Sequence, residues 1–198
     1  MSIIARGFCR LPQSRGAPRD AAGDFPDLVP WVTEASFDSP HFRSVMGQLP
    51  TGVSIVTGHD DEGPAGLAVG SFMSVSLEPP LIAVSPALSS TSWPAIQATG
   101  RFCVNVLGAD QAEVARRFAI SGGDKFAGLE WRHGPSGAPI LAGAVAWIDC
   151  TIESEQVAGD HFLVLGAVIE LDLGDPGDPL IFHRGAFDRF RPALREDD

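Results

Sequence analysis

Short apolar runs separated by turn-forming clusters make up this chain from residue 39 onward. SPHFRSVMGQLP (39–50) carries a helical period: Ser39 suits an N-cap, Pro40 the first helical position, and Pro50 a stop. Phe42, Val45, Met46 and Leu49 fall at i, i+3, i+4 and i+7, which predicts one face buried against a core. GVSIVTG (52–58) then reads as a strand and HDDEGPAG (59–66) as a polar turn. LAVGSFMSVSL (67–77) predicts a second strand, EPP (78–80) a break, and LIAVS (81–85) a third strand. A short helical turn over 93–99 closes at Gly100, and RFCVNVL (101–107) is a fourth strand.

GADQAEVARRFAI (108–120) predicts a helix with Asp110 as cap, Glu113 completing a capping box, and Val114 and Phe118 on the buried side. After a Gly-rich loop come strand-like stretches at 144–154, 161–171 and 179–183. Six or more short strands with two or three helices do not alternate as βαβ units do. The expected class is mainly β, an antiparallel barrel or sandwich with peripheral helices. Residues 1–38 show no sustained period, and carry four arginines followed by Asp20, Asp24 and Asp27. They predict an N-terminal extension, either loosely ordered or packing on a partner subunit through Phe25, Leu28, Val29 and Trp31, ahead of a domain over 39–198.

At 198 residues and 44% hydrophobic, the chain holds one domain with a sizeable core. Its 14 basic residues face 25 acidic ones, a net charge of −11, which disfavours phosphate backbones and so nucleic acid. Lys125 is the sole lysine. The chain has neither an apolar run long enough for a membrane span nor an evident secretory leader, so a cytoplasmic protein is expected. Cys9, Cys103 and Cys150 suggest neither a disulfide framework nor a zinc site.

The sequence contains no dinucleotide glycine fingerprint, phosphate-binding P-loop, zinc-protease motif or nucleophile elbow, and its five histidines lack metal-ligand spacing. Either the protein is not an enzyme or a cofactor supplies the reactivity. The informative stretch is 63–93. Gly63, Ala65, Gly66, Ala68, Gly70 and Ser71 keep a strand small, as where a ligand or another backbone approaches. SPALSSTSW (85–93) offers hydroxyls and the start of a short helix, groups that suit an anionic phosphate. An ordinary barrel strand followed by a Ser-rich turn fits the same residues.

FRSVMGQLPTGVSIVTG, AGLAVGSFMSVSLEPPL, GRFCVNVLGADQ, DKFAGLEW, GAPILAGAVAWIDCTI, GDHFLVLGAV and PLIFHRGAF occur in that order. Together they resemble the flavin reductase-like family over about three quarters of the chain. The resemblance implies an FMN-binding, Greek-key split β-barrel and NAD(P)H-dependent reduction of FMN or FAD. It further implies a homodimer that supplies reduced flavin to a partner monooxygenase, as in the reductase components of steroid-ring and nitrilotriacetate monooxygenases. A non-catalytic flavin carrier or sensor on the same barrel is the alternative.

Carried over by position, flavin contacts are implied at Pro64, Ala65, Gly66, Leu67, Ala68, Gly70 and Ser71, and at Ser85, Pro86, Ala87, Leu88, Ser89, Ser90, Thr91 and Ser92. Asn105 is implied either just behind the flavin or as a structural amide at a strand end. The nicotinamide side falls on Asp160, His161, Phe182, His183, Arg184 and Gly185, with His161 as the catalytic residue and Asp160 orienting or charging it. His41 and Phe42 align with a further nucleotide-contacting stretch. Relatives place Lys or Arg where Leu88 and Thr91 stand, so the resemblance implies loosely held flavin or a charge supplied by Arg116 or Arg117.

Overall fold

The computed structural model describes residues 37–191, so all but the last two residues of the expected N-terminal extension lie outside the described residues. The chain divides into two units, Met1–Asp38 and Ser39–Asp198, and all the described helices and strands belong to the second. In chain order they are α1 (Ser39–Met46), β1 (Thr51–Gly52), β2 (Ser54–Asp60), β3 (Gly63–Val69), β4 (Met73–Leu77), β5 (Pro80–Val84), α2 (Trp93–Thr99) and β6 (Arg101–Leu107). There follow α3 (Ala112–Ala119), β7 (Trp131–His133), β8 (Pro139–Leu141), β9 (Ala144–Ala158), β10 (His161–Leu173), β11 (Leu180–His183) and β12 (Ala186–Arg189).

Seven strands form one antiparallel sheet in the order β3-β2-β6-β9-β10-β5-β4. β3 and β4 are consecutive in the chain yet lie at opposite edges, so the sheet curls until three residues, Gly70–Phe72, span the gap. The curled inner face holds Leu67 and Val69 from one edge together with Ile82 and Val84 from near the other, packed on Phe102, Val104, Trp93 and Ile96. This is the expected mainly β barrel with peripheral helices. A second core, with Ile55, Leu107, Phe118, Phe126 and Leu180, seats α3 and β11 against the sheet.

Several local expectations change. The polar stretch 59–66 is mostly strand: His59 pairs with Pro64 and Asp60 with Gly63, leaving Asp61-Glu62 as the turn. The Asp60 carboxylate accepts from the backbone N–H groups of Glu62 and Gly63 at 2.9 and 3.2 Å, so the acidic residues build a hairpin end rather than a loop. The single strand expected over 67–77 is two strands, interrupted where the chain crosses from edge to edge. There Ser71 Oγ accepts from the Ser85 backbone N–H and donates to the Ser85 carbonyl, at 3.0 and 3.2 Å.

The capping box of α3 does not form. Gln111 occupies the cap position and its side-chain oxygen accepts from Gly108 N–H at 2.9 Å, while Glu113 pairs with Arg116. Two three-residue strands, β7 and β8, lie in what reads as a Gly-rich loop, and β12 follows β11 as a hairpin. The stripe on α1 is not buried: Phe42, Val45, Met46 and Leu49 are 49–61% exposed. That helix stands at the rim of a cavity rather than on the core, with Phe42 and Met46 facing the opening.

Candidate active site

A cavity of about 860 Å³ collects residues that are far apart in sequence. The end of β3 and the crossover supply Leu67, Ala68, Gly70 and Ser71; the serine-rich loop supplies Ser85, Pro86, Ala87, Ser89, Ser90 and Thr91. Ala158 and His161 come from the facing ends of β9 and β10, and Phe118, Ser121 and Lys125 from α3 and the loop after it.

The β9–β10 hairpin fixes this convergence. Ala158 pairs with His161 across a two-residue turn whose first residue, Gly159, has φ +65°, a conformation other residues rarely adopt. The serine-rich loop is stitched to the hairpin tip. Leu88 N–H donates to the Asp160 carbonyl at 2.9 Å, Phe162 N–H to the Pro86 carbonyl at 2.8 Å, and Ser85 Oγ to the Phe162 carbonyl at 2.6 Å. His161 is thereby held beside the loop.

His161 Nδ1 lies 2.7 Å from Asp160 Oδ1. The hydrogen bond and charge of the imidazole hold the Asp160 carboxyl below its ordinary range, with a smaller contribution from Arg43 of α1. Fixing Nδ1 on the carboxylate sets the ring's tautomer and leaves Nε2 as the other hydrogen-bonding atom.

Not every residue singled out by sequence joins this cavity. Pro64, Ala65, Gly66 and Ser92 line a smaller one of about 310 Å³, which shares Thr91 and Lys125 with the first. Gly66 is small for packing: a Cβ there would lie 2.5 Å from the Phe118 ring. Leu88 lines neither cavity and is 45% exposed. Asn105 is fully buried and engaged: Nδ2 lies 3.2–3.3 Å from the carbonyls of Ile55 and Pro139 and from Thr57 Oγ1, while Oδ1 accepts from Leu141 N–H at 2.8 Å. It ties β2, β6 and β8 together.

Phe182 borders a mostly apolar recess of about 150 Å³ behind Ala68–Gly70, with Phe187 5.3 Å away ring to ring. His183 is partly buried on β11 and pairs with Ala186. Arg184 and Gly185 form the β11–β12 turn, with φ of 50° and 80°. The Arg184 guanidinium donates to Gln48 Oε1. Arg116 is paired with Glu113 and lies 5.2 Å over the Phe187 ring, and Arg117 donates to the Ala127 carbonyl. Neither arginine lines the cavity.

Sequence reasoning assigned no role to Lys125. Its Nζ donates to the Gly66 carbonyl, Ser92 Oγ and the Phe118 carbonyl at 3.1, 3.1 and 3.3 Å, and burial lowers its pKa. The available clue was its being the sole lysine of a strongly acidic chain.

The lining suits a flavin: small residues and backbone along β3, an apolar flank at Phe42, Met46 and Phe118, hydroxyls in the 85–92 loop, and a cation at Lys125. Residues 46–191 match the family profile described as flavin reductase like domain. The chain belongs to that family. It is 50% identical over 160 residues to a flavin reductase of Pseudomonas putida, covering 80% of this chain and 94% of that one. It is 47% identical over 161 residues to HsaB, the reductase subunit of a flavin-dependent monooxygenase of Mycobacterium tuberculosis, covering 80% and 86%. Among solved structures, the NADH:FAD oxidoreductase SgcE6 of Streptomyces globisporus C-1027, in complex with NAD and FAD fragments, superposes with a TM-score of 0.75. That pair is 38% identical, covering 80% of this chain and 96% of that one.

Proposed function

We propose that this chain is an NAD(P)H:flavin oxidoreductase that supplies reduced flavin, from FMN or FAD, to a separate monooxygenase. The observation that carries the reading is the cavity of about 860 Å³ in which the β3 edge, the serine-rich loop and the His161–Asp160 pair converge. The relative from M. tuberculosis, a monooxygenase reductase subunit, supports the oxygenase partner, and the S. globisporus NADH:FAD oxidoreductase supports a nicotinamide reductant.

Bound flavin supplies the hydride acceptor. The chain's part is to bind and align. Ala68, Gly70 and their backbone present a slim wall that would hold a flat ring, and Phe42, Met46 and Phe118 would exclude water from its side. The loop at Ser89, Ser90 and Thr91 receives the ribityl phosphate end. His161, steadied through Nδ1 by Asp160, would orient a nicotinamide in the cavity, the proximity contribution to rate. The recess at Phe182 and the turn at His183, Arg184 and Gly185 flank the nicotinamide side. All these residues fall within 39–198, the stretch we take as the catalytic domain.

We further infer a homodimer, and a cytoplasmic setting where reduced nicotinamide is at hand. Among the described residues no helix is long and apolar enough to cross a membrane.

The deciding experiment mixes the protein with NADH and FMN in air and follows absorbance at 340 nm. Flavin-dependent loss of NADH is expected. Flavin binding without such loss would leave the chain a carrier.

A further inference from the structure

Where β9 begins and β10 ends, at the far end of those strands from the His161 hairpin, lies a further cavity of about 480 Å³. It shares no lining residue with the 860 Å³ cavity, and its size falls within the range of small-molecule sites. Glu130, Trp131 and Arg132 line one side, Leu141 and Trp147 the back, and Asp175 the mouth of β10. Two of the three tryptophans among the described residues therefore meet here.

The walls are braced. The N–H groups of Gly174 and Asp175 donate to the Val145 and Ala144 carbonyls at 2.9 Å each, which lays the end of β10 on the start of β9. Gln111 Nε2 donates to the Ala142 carbonyl at 2.8 Å, and Asp175 Oδ2 accepts from Gly143 N–H at 3.0 Å. Trp131 is packed edge-on by the rings of Phe126 and His133, 6.1 and 5.0 Å away.

The charges in this cavity do not cancel one another. The Arg132 guanidinium lies 5.2 Å over the ring of Trp147, which is only 6% exposed. A buried indole gives the cation a fixed seat without neutralising it. Among the described residues the Arg132 side chain makes no hydrogen bond, and the ion pairs are Arg116–Glu113 and His161–Asp160. No carboxylate thus lies within 4 Å of Arg132, although Glu130 and Asp175 border the same cavity. One cation and two anions stand apart around indole surface. An aromatic monocarboxylate would answer Arg132 and be repelled by the two carboxylates, and an aromatic amine would do the reverse. A ligand that complements all of them carries a carboxylate, an ammonium and a flat ring.

We propose that this cavity binds an aromatic amino acid as its zwitterion, the carboxylate on the Arg132 guanidinium, the ammonium toward Glu130 and Asp175, and the ring against Trp131 and Leu141. Such a site is independent of the flavin reductase reading, since the two cavities have no residue in common.

Isothermal titration calorimetry on the full chain, with FMN in excess, compares L-phenylalanine with three analogues. 3-Phenylpropionate lacks the ammonium, 2-phenylethylamine the carboxylate, and L-alanine the ring. L-Phenylalanine should bind once per chain and roughly tenfold more tightly than each analogue, the order of one charge-assisted hydrogen bond or one buried ring. Arg132→Met should lower its affinity roughly tenfold and leave 2-phenylethylamine within about twofold. Glu130→Gln combined with Asp175→Asn should weaken L-phenylalanine and leave 3-phenylpropionate bound at least as tightly as before. Equal losses for every compound would overturn the proposal and make Arg132 a packing partner of Trp147. So would no loss in either variant, or no heat from L-phenylalanine up to about 10 mM. Binding seen only when FMN is left out would place the amino acid in the flavin cavity and overturn it as well. If the variants fail to fold, the analogue series on wild-type protein decides: an analogue that binds as tightly as L-phenylalanine removes the group it lacks from the recognition and overturns the assignment.

Discussion

The smallest unit of this site is a pair of side chains one peptide bond apart. Asp160 is almost wholly exposed, yet its carboxyl is held below the ordinary range because the imidazole of His161 sits 2.7 Å away. A depressed carboxyl pKa means that the carboxylate–imidazole contact is intact above the usual carboxyl value of about 3.9 and is lost only as pH falls through the lowered one. Asp160→Asn should therefore differ from wild type in hydride transfer across neutral pH, not only in acid. His161→Ala should slow hydride transfer roughly ten- to a hundredfold, as expected when a reacting ring loses its alignment, with flavin affinity changed less than about threefold. Stopped-flow reduction of bound flavin separates the two quantities, and parallel losses would make the histidine a support of the hairpin. Two thiols show the opposite environment. Cys103 and Cys150 are buried, and burial with the nearby Asp149 charge pushes Cys150 up to about 12 and Cys103 higher still. Both should stay unmodified by iodoacetamide at neutral pH in the native protein and react once urea unfolds it, as peptide mapping would record.

Among the elements, β6 joins the barrel core to the layer behind it. Phe102 and Val104 enter the barrel core, while Cys103 and Asn105 point to the opposite side, where β8 covers them. A run as apolar as RFCVNVL reads as a strand without difficulty. What covers its second face does not, because β8 is three residues long and too short to show a period. Asn105→Ala would leave the Leu141 N–H unpaired in the interior and should cost about 1–3 kcal/mol, read from urea midpoints at unchanged slope. FMN affinity of the folded protein should hold within about twofold; a large affinity loss at full stability would put Asn105 behind the flavin after all. The same contrast explains what else the sequence disclosed. The 52–58 and 101–107 strands and the turn of helix closing at Gly100 were legible, because period and turn chemistry are local. The α1 stripe misled, since a helical period reports an apolar face but not what lies opposite it, and here it is a cavity. The Gly70–Phe72 crossover was hidden because only the curl of the whole sheet requires a break there. Lys125 was hidden because its neighbours, Gly66, Ser92 and Phe118, are distant in sequence or seven residues away on another element.

For the whole molecule, the apolar surface that one chain leaves exposed is the basis of the dimer inference. Met73 and Leu165 both lie opposite Ala83, so β4, β5 and β10 present them on one surface of the sheet, and Leu163 follows two residues from Leu165. Met73 is 59% exposed and Leu163 45%. β4 is moreover an edge strand whose Val75 and Leu77 are also exposed, the arrangement that single chains usually blunt with charge or cover with a partner. The serine-rich loop and His161 begin directly beyond these strands, at Ser85 and at the start of β10, so a second copy seated there would border the cavity. Leu163→Glu combined with Met73→Glu places two charges on that surface without touching the barrel core. The expected result is a halved mass in size-exclusion chromatography with light scattering, with far-UV circular dichroism unchanged. Flavin-dependent NADH oxidation should fall with the mass if the neighbouring copy helps to wall the cavity. A double variant that remains dimeric would move the contact to another surface, and a wild-type protein of single-chain mass at micromolar concentration would remove the dimer from the proposed function altogether.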